Sequence, residues 1–285
     1  MDFVKMHGLG NDFIVVNNME ENLQLQKERM SYLSKELCRR GFGIGADGLV
    51  LITSSSLAFL GMRIFNPDGS EAEMCGNAIR CIAKYLWDRG LVGAPNFVIE
   101  TLAGLKEVEV LLAGTSVRAV RVGMSEPILD SVEIPVKGTA RKVLDEEIVV
   151  DGEQLSFSAI SMGNPHCVIF VSSLEHIPWQ KWGAFLESSP TFPARTNVEF
   201  VEVLSPREIR VNVWERGAGA TLACGTGACA AVVAGILTGR LGSPVEVHLP
   251  GGNLKIEWEE GSSVYMEGPA EEVFQGTVNI LKGEN

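Results

Sequence analysis

The sequence repeats a module. "MCGNAIRCIAKYLWDRG" at 74–90 aligns with "ACGTGACAAVVAGILTG" at 223–239, which puts Cys75 and Cys224 at equivalent positions 149 residues apart. Upstream, "NDFIVV" (11–16) aligns with "NPHCVIF" (164–170), equating Asn11 with Asn164. Asn66 in "FNPDG" falls on Glu215 in "WERGAG", and "ETLAGLKEVEV" lies where "HLPGGNLKIEW" does. Order and spacing hold across the module, so the chain reads as two copies of one domain. Whatever one copy folds into, the other must fold into as well.

Turn signals and apolar periods predict many short strands and few helices. Strands are expected at 13–17, 49–53, 97–101, 106–112, 117–122, 167–171, 208–214, 245–249 and 254–258, several of them alternating apolar and polar as antiparallel, half-buried sheet does. Helices are expected at 27–40, 76–89, 180–188 and 226–238. Each copy is then a small, strongly curved sheet wrapped around one helix. The helix of the second copy is apolar all round, which means burial on every side. The first copy's helix carries Ile79, Ile82, Ala83 and Leu86 on one face and Arg80, Lys84 and Asp88 on the other. Two such domains are expected to meet at a cleft, with Cys75 and Cys224 facing each other across it.

Each cysteine stands at a helix mouth. The first N–H groups of a helix have no internal partner and the helix dipole is positive there, so a carboxylate binds readily and a neighbouring thiolate is favoured. Gly76 and Gly225 allow close backbone approach, and Asn77 and Thr226 add a donor or cap the turn. Two thiols on either side of one bound anion suit the removal of a proton from one face of a carbon and its return on the other. The α-carbon of an amino acid is such a centre, provided that its carboxylate is gripped by preorganised donors. One cysteine-headed helix would read as ordinary core. Two at matched positions, with Asn11/Asn164 and Asn66/Glu215 also matched, point to function. A redox dithiol is the poorer reading, because neither cysteine belongs to a C-x-x-C.

Other features narrow the choice. "GFGIGADG" contains Gly43, Gly45 and Gly48 at dinucleotide-binding spacing, but a helical segment precedes it and a strand follows, the reverse of what that fold needs. Arg216 is placed to hold a substrate carboxylate and Glu215 an ammonium. His166 can tune a nearby thiol. No lysine stands in a context for a pyridoxal Schiff base, and the histidines and cysteines lack zinc-ligand spacing, so neither cofactor nor metal is expected. The net charge of −12 argues against nucleic acid and against anionic membrane as partners. The N-terminal segment lacks the features of a signal peptide, and a cytoplasmic address is expected.

"MHGLGNDF", "FNPDGSEAEMCGN", "SMGNPHC", "RTNVEF", "ERGAGATLACGTGACA" and "LPGGNLKIEW" resemble, in order, the signatures of the diaminopimelate epimerase family. The resemblance spans nearly the whole chain. It implies an α+β fold of two pseudo-symmetric, barrel-like domains of mostly antiparallel sheet around a central helix, with the active site in the cleft between them. The domains would be 1–118, joined by a returning segment 269–285, and 119–268. It implies a cofactor-independent enzyme that interconverts LL- and meso-diaminopimelate for lysine and peptidoglycan synthesis, and a homodimer. Cys75 and Cys224 would be its acid–base residues. Asn11, Asn66, Gly76, Asn77, Asn164, Asn197, Glu215, Arg216, Gly225 and Thr226 would contact the substrate, and His166 and Glu215 would tune the thiols. Gly48 stands where some members have a substrate-touching glutamine, Ala220 where glutamate is common, and Ala78 where glycine is frequent. The rival readings are a racemase for another amino acid on the same scaffold and a non-catalytic amino-acid-binding protein, which would not need both thiols.

Overall fold

The computed structural model describes residues 1–20 and 26–280. Its contacts divide the chain into two compact units, Met1–Val122 with the chain from Gly268 onward, and Gly123–Glu267. Residues 281–285 of the expected returning segment lie outside the described residues.

The two units use the same ladder. In the first, β1 (Asp2–Gly8) lies antiparallel between β18 (Glu271–Thr277) and β2 (Asn11–Asn18). β2 runs parallel to β3 (Gly48–Thr53), and β3 is antiparallel to β4 (Leu60–Phe65). β4 takes the short β5 (Glu71–Ala72) antiparallel and β6 (Asn96–Thr101) parallel, and β6, β7 (Gly104–Ala113) and β8 (Ser116–Gly123) form a meander. The second unit repeats each step. β10 (Glu153–Ser161) lies between β9 (Glu146–Val150) and β11 (Pro165–Val171), and β11 is parallel to β12 (Asn197–Ser205). β13 (Glu208–Glu215) follows, with β14 (Gly219–Thr221) antiparallel to it and β15 (Val245–Leu249) parallel. β16 (Gly252–Glu257) and β17 (Tyr265–Gly268) complete it. The register matches too: Phe13 lies opposite Gly48 as His166 lies opposite Asn197.

Each sheet carries a helix on both faces. On the inside of the curve α2 (Gly76–Asp88) packs against β1, β2, β7 and β18, and α4 (Gly225–Leu237) against β10 to β13 and β16. On the outside α1 (Lys27–Cys38) covers β3 and β4, and α3 (Trp179–Glu187) covers β12 and β13. Central strands are therefore buried on both faces, which is why "FIVV" and "LVLI" run apolar without alternation. Ile14, Val16, Leu49 and Leu51 pack with Met30, Leu33 and Leu37 of α1. Their neighbours Val15 and Val50 point to the other face, toward α2, as strand geometry requires. Cys167, Ile169, Val198 and Phe200 pack likewise with Trp182 and Leu186 of α3.

Two expectations need correction. The polar face assigned to α2 is only partly polar: Lys84 and Asp88 pair across one turn at 2.7 Å, but Arg80 is fully buried. Its guanidinium donates to Asn77 Oδ1 (2.8 Å), Pro269 O (3.0 Å) and Gly76 O (3.3 Å), and this supply of acceptors makes the burial tolerable. Because Pro269 belongs to the C-terminal segment, Arg80 ties α2 to the returning chain. Second, α1 ends at Cys38 rather than at 40, because Arg39 is extended and the glycine-rich run folds back over the helix end. A Cβ at Gly43 would meet Glu36 O at 2.3 Å.

The contact between α3 and β13 is equally close. A Cβ at Gly183 would lie 2.6 Å from Trp214 Cβ. Gly183→Ala gains about 1 kcal/mol in helix propensity but overpacks this contact by about 1–3 kcal/mol. A lower urea midpoint is expected, and an unchanged or raised midpoint would refute the close packing.

Candidate active site

In the first unit, Cys75 caps the N-terminus of α2 from an extended backbone conformation and is half-buried. Its thiol donates to Asn11 Oδ1 at 3.9 Å, a contact lengthened by the size of sulfur. What stands behind Asn11 sets the direction of its amide. Asn11 Nδ2 donates to Asp47 Oδ2 at 2.9 Å, and since a carboxylate can only accept, the amide oxygen turns toward the thiol, where it also accepts from Asn77 Nδ2 at 3.0 Å. Asp47 also accepts from the Asp12 N–H (3.0 Å) and from Arg40 (2.8 Å). Lys5 Nζ lies 2.6 Å from Asp12, and the Gly45 carbonyl accepts from the same ammonium. Burial works to raise the Asp12 carboxyl, but hydrogen bonds from Arg40 and Lys5 and the contact with Asp47 prevail and hold it at about 2, below 3.8.

In the second unit, Cys224 caps α4 in the same way, is buried, and accepts from the Gly227 N–H at 3.3 Å. Thr226 Oγ1 lies 3.4 Å from the sulfur, and Asn164 Nδ2 donates to that hydroxyl at 3.3 Å. Asn11 with Asn77 and Asn164 with Thr226 thus pair the same two positions in each unit, with the donor reversed: Asn77 donates to Asn11, whereas Asn164 donates to Thr226. His166 is buried between Asn164 and Glu199 of β12. Asn197, read from sequence as a lone strand-edge amide, is buried and fully engaged. Its Nδ2 donates to Pro165 O and its Oδ1 accepts from the Arg216 N–H, both at 2.9 Å. It therefore joins the start of β11 to the Glu215–Arg216 loop. The Arg216 side chain is exposed and donates to Ala194 O at 3.1 Å, while Glu215 accepts from the Thr221 hydroxyl.

The helix mouth does not by itself set the Cys224 thiol. Burial pushes the thiol well above its ordinary value, the Glu215 carboxylate adds to this, and the hydrogen bonds from Thr226 and the Gly227 N–H pull the other way. The expectation of a favoured thiolate is therefore reversed here, because loss of water outweighs two donors. Cys81 and Cys167 are fully buried and also raised, as inert core thiols are.

The sequence-predicted residues fall into groups. Cys75, Gly76, Asn77 and Asn11 gather at one helix mouth, and Cys224, Gly225, Thr226, Asn164 and His166 at the other. Asn66 donates to Ser70 Oγ at 2.9 Å within its own hairpin. A side chain at Gly48 would press on Phe65 O (3.3 Å) and the Phe13 ring (3.4 Å). Four residues escaped the sequence reading: Asp47, Arg80, Glu187 and Glu199. Glu187 holds the loop after Glu215 through the Gly217 N–H (2.7 Å) and Trp214 Nε1 (2.8 Å). Glu199 was visible as a lone charge inside the apolar run "NVEFV". Among the described residues no group of three or more His, Cys, Asp or Glu could hold a metal ion, and no helix is long and apolar enough to cross a membrane.

The architecture is found in solved structures. A hydroxyproline epimerase from Agrobacterium vitis superposes with a TM-score of 0.71 at 16% identity, covering 98% of this chain and 90% of that one. A Bacillus anthracis phenazine biosynthesis protein of the PhzF family superposes with a TM-score of 0.73 at 16% identity, covering 98% and 99%. These likenesses define the fold class: two pseudo-symmetric units of curved sheet around a helix. The sequence is more specific. The model of the diaminopimelate epimerase family matches residues 3–129 and 158–273. The diaminopimelate epimerase of Pelotomaculum thermopropionicum is 57% identical over 97% of this chain and 98% of its own length. That of Desulforudis audaxviator is 56% identical over the same shares. The chain belongs to the diaminopimelate epimerase family, a family of isomerases.

The Asp12 cluster behind Asn11 makes a pH-dependent contribution to stability. A carboxyl whose folded pKa is depressed stabilises above its unfolded value and loses that contribution as pH falls toward the folded one. Asp12→Asn should therefore cost on the order of 2 kcal/mol near neutrality. The gap to wild type should narrow below about pH 4 and close near 2. Urea titrations over this range check it; a gap that is constant with pH would contradict the assignment.

Proposed function

We propose that the chain interconverts LL- and meso-diaminopimelate with two thiols, Cys75 and Cys224, acting from opposite faces of the α-carbon. The observation that carries this reading is the repeated contact. Each unit caps its central helix with a cysteine, and each sets an asparagine at or just before a strand start against the residue two positions further on. Packing alone gives no reason for both helices to begin with a thiol.

In one direction a thiolate takes the α-proton. The C–H bond breaks, its electron pair stays on the carbon and delocalises into the carboxylate, and the second thiol donates its proton to the other face. The reverse reaction exchanges the roles. Gly76 and Gly225 with their helix N-termini are proposed to bind the reacting carboxylate, with Asn11, Asn77, Asn164 and Thr226 around it. Asn66, Asn197, Glu215 and Arg216 are proposed to read the distal amino-acid group, with Asn197 acting by holding the Arg216 backbone. His166 and Glu215 are proposed to tune the thiols. The reading includes a substrate-enclosing cleft, the division at 1–118/269–285 and 119–268, no cofactor, and a cytoplasmic homodimer; family kinship supports these parts.

The deciding experiment is the reaction in heavy water, sampled early from the LL isomer. With two thiols, product carries deuterium at the inverted centre while remaining substrate stays largely unlabelled. Cys75→Ala and Cys224→Ala should each abolish epimerisation in both directions. Early product that retains the substrate's own hydrogen, or a single-cysteine variant that still epimerises, would sink the reading.

A further inference from the structure

Behind Cys224 the side chains form a single line. Glu199 Oε1 lies 2.7 Å from His166 Nδ1, and His166 Nε2 lies 2.9 Å from Asn164 Oδ1. Asn164 Nδ2 donates to Thr226 Oγ1 at 3.3 Å, and Thr226 Oγ1 lies 3.4 Å from Cys224 Sγ. Glu199 and His166 are both fully buried, and Glu199 Oε2 has no hydrogen-bond partner among the described residues. The carboxyl also lies hard against the first turn of α4: a Cβ at Gly227 would meet Oε1 at 2.6 Å. A buried carboxyl with one orphaned oxygen is costly to keep, so its retained contact with His166 calls for an explanation.

The explanation lies in the hydrogen count. Because Asn164 turns its oxygen to the ring, Nε2 must donate. Nδ1 and Oε1 then share one proton, on whichever side it sits. With Asn164 Nδ2 spent on the Thr226 oxygen, the threonine hydroxyl hydrogen is free to point at the sulfur. Every link from His166 onward donates in one direction. The corresponding positions of the first unit carry different residues. Register and spacing put Phe13 at the position of His166 and Val50 at that of Glu199, and the matched amide of Asn11 faces the opposite way.

We propose that Glu199 is a positioning residue for Cys224. By pairing with His166 it fixes the direction of the chain His166–Asn164–Thr226, so that the chain ends in a hydrogen bond donated to the Cys224 sulfur. This rests on the reading of Cys224 as one of the two acid–base groups. Glu199 does not touch the reacting carbon; it holds the thiol's donor in place. The other groups that act on this sulfur, Glu215 of β13 and the Gly227 N–H of α4, are unaffected by a change at 199.

The test reads the thiol directly, so that failure of the chain and failure of the catalytic assignment are separate results. Full-length protein is alkylated with iodoacetamide across a pH series, and the rate at Cys224 is followed by peptide mass mapping. Three variants are compared with wild type: Glu199→Gln, Glu199→Met and Thr226→Val. An amide at 199 can donate to Nδ1 and keep Nε2 as donor, so Glu199→Gln should titrate as wild type does. Glu199→Met removes the anchor, and its midpoint should rise by about one pH unit, the equivalent of a tenfold loss. Thr226→Val breaks the last link without disturbing the buried pair and should rise in the same way, which keeps the test decisive if the Met variant does not fold. A fall in the midpoint for both Glu199 variants would mean that Glu199 acts as a bare negative charge, and would overturn the proposal. An unmoved midpoint in Thr226→Val would also overturn it.

Discussion

Burying a helix on every side decides where this fold can place chemistry. α4, and α2 apart from the Lys84–Asp88 end, give up their flanks to the inner faces of the two sheets, so little side surface is left for a ligand. What remains is the first turn, where N–H groups lack helical partners and the backbone is still extended at the capping residue. A cysteine in that capping position is held by the helix it begins, on a backbone fixed by the whole core. The strand ends beside it supply the asparagines, because β2 and β11 begin where the helices do. The site residues that gather at each mouth come from a strand start and a helix start, which the sheet–helix packing keeps in register.

The duplication is faithful in backbone and unfaithful in charge. Strand order, parallel pairs and helix placement agree step for step, yet the groups packed against the two helix starts differ. The first unit has a buried guanidinium, Arg80, within the helix itself and a partly buried acidic–basic cluster behind Asn11. The second has a buried carboxyl and imidazole behind Asn164. An epimerase whose thiols exchange roles needs both to work, but it does not need them alike. LL- and meso-diaminopimelate are different molecules, and in the proposed mechanism the proton rests on a different sulfur before each direction of turnover. Inequivalent surroundings on a symmetric backbone suit that requirement.

Much of this was legible in the sequence, and the reason is the repeat. A motif such as "CGN" means little once; its counterpart "CGT" at fixed spacing made Cys75, Cys224, Asn11 and Asn164 stand out, and the structure pairs each asparagine with the residue two positions after the matching cysteine. All four helices were legible to within two residues. Strands β1, β4, β5, β9, β10, β12, β14, β17 and β18 were not, because they are very short or their signals are mixed. β1 carries Lys5 in a buried position, where the ion pair with Asp12 accommodates it. β10 buries Ser158, whose hydroxyl accepts from the Asp145 N–H, and β12 buries Glu199. In each case a tertiary partner meets a polar group, for Glu199 through one of its two oxygens, that local pattern reads as a loop or a surface. The same blindness hid Arg80, placed on a solvent face by helical period and in fact buried, bonded to one carbonyl 189 residues away as well as to its own turn.

Charge supplies the last step. The chain carries a net charge of −12, and a substrate with two carboxylates approaches against that field. Long-range attraction therefore cannot provide the affinity of the proposed site; fixed donors at contact distance must. Helix N-termini suit this, since their partial charges are held in place by a buried core and fall off within a turn. The same field has a second effect inside the site. Burial opposes the ionisation of Cys224, and the Glu215 carboxylate opposes it further. Left alone, such a thiol would be a fixed acid and a poor base. Donors aimed at its sulfur by Thr226 and by the start of α4 work in the opposite sense, which is the condition for one group to serve in both directions.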